Sequence, residues 1–162
     1  MTTATTTVEL TSKNVSDLND LIEINLDSEK GFRETREKLT SSDTQQMFGE
    51  IADDRARQAE QLKSLVTASG HTPEGDGSLA GKAHRWWITV RDKVSDASHY
   101  DVLAEAERGE DRILELYREV TGRTSDNADL SQVLHDHLTR VKGQHDRVRN
   151  LRDASKHAEA HR

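Results

Sequence analysis

Glu29, Glu107, Glu110 and His145 stand where a helical repeat would be expected to place leucine. Each lies in a run whose apolar residues recur three and four apart, the mark of one buried helix face. One run reads Val15, Leu18, Ile22, Asn25, Glu29, Phe32, Arg36, Leu39 and a second Phe48, Ile51, Arg55, Gln58, Leu62, Leu65. A third reads Tyr100, Leu103, Glu107, Glu110, Leu114, Tyr117, and a fourth Leu134, Leu138, Val141, His145, Val148, Leu151. Carboxylates and an imidazole brought to one level of a helical bundle are the ligand chemistry of metal-carboxylate centres. A guanidinium at that level, here Arg55, is the chemistry of ion pairing instead, because its planar fork bonds carboxylates and its charge repels a cation.

Other constellations carry less. His135 and His137 are two apart, which turns them about 200 degrees from one another on a helix, so they cannot chelate one ion together and read as surface residues. His157 and His161 are four apart near the C-terminus, where they read as adventitious metal binders. Asp53-Asp54 and the acids between Asp126 and Asp129 lack the ligand spacing of a calcium loop and read as surface and capping residues. No phosphate-binding glycine loop, nucleophile elbow or serine-histidine-acid pattern is present. The chain has no cysteine, which removes disulfides, thiolate metal sites and cysteine nucleophiles.

The elements that must position the polar level are four long helices. Ser16 or Asn14 is expected to cap the first, which runs to about Leu39, and Ser41-Ser42-Asp43 to end it and cap the second. The second closes at Gly70, ahead of a breaker-rich stretch holding Pro73, the single proline. Ser78 opens a short amphipathic segment in which Leu79, Ala83, Trp86, Trp87, Val90 and Val94 share a face. A third helix is expected from about Ala97 to Thr121, and a fourth after Asn127. Helices of roughly 25 residues are about 38 Å long at 1.5 Å per residue. Two short links and a long middle connection of roughly thirty residues therefore imply two hairpins joined by a crossover that runs the length of the bundle. Gly31, Gly49, Gly109 and Gly143 fall inside helices, where close approach of a neighbour would compensate their helix cost of up to about 1 kcal/mol each.

The chain has 162 residues, 32% hydrophobic and 33% charged, which fits one domain whose apolar residues are gathered into narrow stripes. The expected division is a flexible tail over 1–13, a single bundle domain over 14–154 and a frayed tail over 155–162. A net charge of −7 opposes nonspecific attraction to phosphate backbones or anionic lipid, so no nucleic-acid or membrane partner is expected. The threonine-rich N-terminus has neither the basic flank nor the apolar run of a signal peptide or membrane span, and a cytoplasmic location fits best. Trp86 and Trp87, beside Arg85 and Arg91, are the most aromatic point of a chain that is 4% aromatic, and one exposed ring there would serve a homodimer or protein partner.

Four segments carry a resemblance to known proteins: Leu18-Asn-Asp-Leu-Ile-Glu-Ile-Asn25, Ser78-Leu-Ala-Gly-Lys-Ala-His-Arg-Trp86, Glu105-Ala-Glu-Arg-Gly-Glu-Asp111 and His145-Asp-Arg-Val-Arg-Asn-Leu-Arg-Asp153. With them the chain, from about Asn14 to Ala154, resembles the ferritin-like superfamily, and within it a bacterial four-helix-bundle family of unassigned function. The resemblance implies an all-α antiparallel bundle of ferritin-like topology, with a short fifth helix in the crossover and a link to stress response. The superfamily's di-iron members carry a glutamate on helices 1 and 3 and Glu-x-x-His on helices 2 and 4. Glu29 and Glu107 match the single glutamates and His145 the last histidine. Arg55 and Gln58 stand where the second helix needs glutamate and histidine, and Lys142 stands where the fourth needs glutamate. The expectation is a salt-bridge layer of Glu29, Arg55, Glu107 and Lys142 with Gln58 and His145 as hydrogen-bond partners, no cofactor, and no catalytic residue. The alternative is a degraded metal site of Glu29, Glu107, Glu110 and His145 holding iron, manganese or zinc.

Overall fold

The computed structural model describes residues 9–74 and 98–160. These form four helices, α1 (Ser12–Arg36), α2 (Ser42–Ala68), α3 (His99–Arg123) and α4 (Ala128–Ala160). The starts are set by side-chain caps. Thr11 and Asn14 form a reciprocal capping box at α1, Ser41 and Ser98 accept the third backbone N–H of α2 and α3, and Asn127 accepts that of Leu130 at α4. The cap of α1 is thus Thr11, earlier than the expected Asn14 or Ser16, and the helix takes in residues assigned to a flexible tail. At its far end α4 continues to Ala160, past the expected limit at Ala154. Gly70, at φ 84°, closes α2 with the N–H of His71 bonded to Val66 O and its own to Thr67 O, the left-handed stop that glycine adopts without strain.

The helices pack as the pairs α1–α2 and α3–α4, with α1 also against α3. End contacts fix the directions. Arg123, closing α3, donates to Asp17 at the start of α1 (3.0 Å), and His99, opening α3, bonds Thr44 at the start of α2 (2.8 Å). Chain leaves the described region at Glu74, whose N–H reaches Asn19 beside the start of α1, and returns at Ser98 at the opposite end. That is the two-hairpin, ferritin-like topology, since a short link cannot join those ends. The crossover segment itself, with Arg85, Trp86, Trp87 and Arg91, lies outside the described residues.

The apolar core is in two parts. Leu18, Leu21, Ile22, Leu62, Tyr117, Leu130 and Leu134 belong to one, and Phe32, Phe48, Ile51, Leu103 and Val148 to the other. The rings of Phe32 and Phe48 meet edge to face at 4.9 Å. Polar side chains from three helices fill the level between. Of the helix-interior glycines, Gly49 lies against the Arg36 guanidinium, whereas Gly143 faces open space, so close packing accounts for the first and not the second.

Candidate functional site

The centre of the dividing level is Arg55, on α2, with no solvent exposure. Its position follows from the register of the helix, since Ile51, Arg55, Gln58 and Leu62 all turn inward. One terminal nitrogen donates to Gln58 Oε1 at 3.0 Å and to Gln144 Oε1 on α4 at 2.8 Å, and the other donates to Glu110 Oε2 on α3 at 2.5 Å. Glu110 is equally buried, so the layer holds a fully desolvated ion pair. Gln144 carries the network to the rim by donating its amide to Asp54, which also takes Arg57 and, at 3.0 Å, Arg140. Arg55 Nε, Gln58 Nε2 and Glu110 Oε1 are buried and find no hydrogen-bond partner among the described residues.

Four of the six expected members lie outside the layer, Glu29 and Lys142 among them. Glu29 sits at the α1–α2 rim, paired with Arg33, which in turn reaches Asp53, each at 3.1 Å. The inward positions of α1 are Asn25, Ser28 and Phe32, which leaves Glu29 one residue, about 100 degrees, off the seam. Lys142 is exposed and pairs with Asp146 at 2.9 Å, because Val141 and Gln144 take the inward positions of α4. The salt-bridge layer is therefore built of Arg55 and Glu110, with Gln58 and Gln144, rather than of Glu29, Glu107 and Lys142. Among the expected residues Glu110 belongs only to the metal alternative, and Gln144 belongs to neither reading.

Glu107 and His145 do come together, beside the layer rather than in it. His145 Nε2 is 4.0 Å from Glu107 Oε1 and 2.5 Å from Asp111 Oδ1, while its Nδ1 is 3.2 Å from Asp146 Oδ1. Glu107 Oε2 is taken by Arg152. Bonds from Lys142 and His145 hold the Asp146 carboxyl well down, at about 2. Asp111 was not foreseen, although its spacing of four from Glu107 on one helix is visible in the sequence.

A second polar chain crosses the bundle and was missed as well. Asn25 on α1 donates to the Tyr117 hydroxyl on α3 at 2.7 Å, and that hydroxyl lies 3.1 Å from His137 Nδ1 on α4. His137 Nε2 lies 2.8 Å from Gln61 Oε1 on α2. Each helix contributes one member. The bond directions agree when the imidazole is neutral, with the tyrosine O–H donating to Nδ1 and Nε2–H donating to Gln61. Burial pushes the His137 pKa down to about 4, with a smaller push from Arg55, and it raises that of Tyr117. His137 is thus buried and not a surface residue; of the two neighbouring histidines it is His135 that is exposed. The signal was the spacing Leu130, Leu134, His137, Val141, Gln144, Val148, which is the true inward stripe of α4.

A di-iron centre needs carboxylates and imidazoles converging on the bundle axis. This level offers one carboxylate, two carboxamides and a guanidinium that carries the positive charge itself. The residues do not fit the group. Fold and layer define a four-helix bundle of the ferritin-like class with an ionic centre. The chain belongs to the family described as a domain of unknown function, DUF2383, whose model matches residues 13–123. It is similar in structure to a mutant of Mycobacterium smegmatis Dps1, at 16% identity and a TM-score of 0.62, covering 87% of this chain and 98% of that one. At that identity the likeness is one of fold. No protein with a curated description matches. No helix among the described residues is long and apolar enough to cross a membrane.

Proposed function

We propose that the protein is a non-catalytic ferritin-like bundle, a structural or interaction module in which the Arg55–Glu110 pair takes the place of a dimetal centre. The observation that carries this is the full burial of both partners at 2.5 Å, at the level that divides the two apolar clusters. A guanidinium there fills the volume and supplies the charge that metal ions would otherwise bring. The layer gives α2, α3 and α4 a fixed register, the best-attested use of buried polar groups. The module acts in the cytoplasm, as a homodimer or with a protein partner. Its connection with stress physiology comes from the superfamily resemblance and from no feature of the layer.

Aerobic oxidation of iron(II) tests the non-catalytic reading. The rate with protein present is expected to equal that in buffer, and a protein-dependent rate lost on Glu110→Gln would overturn it. Light scattering across a wide concentration range tests the association. A mass rising toward that of a dimer is expected, and a constant monomer mass with no co-purifying partner counts against an interaction role.

A further inference from the structure

We infer that Glu107, Asp111 and His145 form a mononuclear site for a divalent transition-metal ion of the zinc type, between α3 and α4 and separate from the Arg55 layer. Glu107 and Asp111 are four apart on α3 and so share a face, and His145 meets them from α4. One ligand atom from each of the three lies within 4.8 Å of the other two. Nitrogen and oxygen ligands bond zinc at about 2.0 to 2.2 Å, so ligand atoms around one ion stand roughly 3 to 4 Å apart. Glu107 Oε1 and His145 Nε2, at 4.0 Å, already have that spacing. Asp111 must draw back from 2.5 Å, and its side chain, 59% exposed, is free to do so.

The surroundings of His145 supply an independent reason. Both ring nitrogens face carboxylates, which accept and never donate when ionised. With Nδ1–H given to Asp146, Nε2 faces the oxygens of Asp111 and Glu107, an arrangement satisfied by a second ring proton or by a metal ion between them. Asp146 then has the place of the outer carboxylate that orients a metal-bound histidine and fixes its tautomer. Arg152 is the competitor, since it donates to Glu107, but it takes Oε2 and leaves Oε1 for the ion. The mixed imidazole and carboxylate donors suit zinc and its first-row neighbours over calcium or magnesium. Three protein ligands, one of them the exposed Asp111, leave the remaining positions to water.

The experiment is calorimetric titration of Zn2+ into the full chain, purified without a histidine tag and stripped with chelator. One equivalent is expected to bind, with affinity lowered at least tenfold by Asp111→Asn and by His145→Ala. Asp146→Asn is expected to weaken it about 10- to 100-fold, as loss of an outer-shell partner does. His157→Ala, in the C-terminal turn of α4, is expected to leave it unchanged. Asp111→Asn alters an exposed side chain and keeps the test sound should His145→Ala unfold the bundle. No binding by the parent chain, binding untouched by Asp111→Asn, or binding lost on His157→Ala would each overturn the assignment.

Discussion

Arg55→Ala is expected to lower the free energy of unfolding by about 3 to 5 kcal/mol, because it leaves the Glu110 carboxylate buried without a counter-charge. Glu110→Ala should cost a similar amount by stranding the guanidinium. The two losses are not additive. A double variant, Arg55→Leu with Glu110→Leu, removes both charges and refills part of the volume, and it should recover most of the single-variant loss. Three polar atoms of the layer lack partners among the described residues, so the pair is not an optimised source of stability. Reversible urea unfolding of the parent chain, Arg55→Leu, Glu110→Leu and the double variant gives the coupling energy directly. Single losses below about 1 kcal/mol, or a double variant as unstable as the sum, would contradict a desolvated pair.

Acid should destabilise the bundle through His137. Its pKa is about 4 in the fold against 6.5 for the free side chain. Between those values the unfolded chain binds a proton that the folded chain refuses, so stability is complete above pH 6.5 and declines as pH falls toward 4. The slope approaches 1.4 kcal/mol per pH unit, and the full contribution is about 3 kcal/mol. A charged imidazole would also have to break its bond from the Tyr117 hydroxyl, because Nδ1 could no longer accept. His137→Gln is expected to flatten the decline across this window relative to the parent chain. Equal pH profiles for the two, measured by thermal unfolding, would show that His137 is not held neutral.

Sequence and structure agree where leucine-type residues mark the buried face, and part company where they stop. On α2 the run Phe48, Ile51, Arg55, Gln58, Leu62 has apolar residues close on both sides of the polar pair, and Arg55 and Gln58 fall in the layer as expected. On α1 the interval from Asn25 to Phe32, and on α4 those from Leu134 to Val141 and from Val141 to Val148, fit a step of three then four as well as four then three, so spacing alone does not fix which polar residue turns inward. On α1 the inward residue is Ser28 and not Glu29, while Lys142, which rests on the Glu-x-x-His resemblance and not on the repeat, lies between the inward Val141 and Gln144. The same one-residue slip hid His137. A polar core layer erases the hydrophobic signal that fixes its own register. Fold was legible from caps, glycines and connection lengths, whereas pairings in the layer required the packed helices.

On the proposed function a guanidinium, and not a metal ion, occupies the middle of this bundle. Anomalous diffraction from crystals soaked in iron(II), manganese(II) or zinc locates any bound ion without requiring a variant that folds. Density consistent with Arg55 on Glu110 is expected, with no anomalous peak among Arg55, Gln58, Glu110 and Gln144. A peak at that level, with the Arg55 side chain displaced and Glu110 bonded to the ion, would contradict the account.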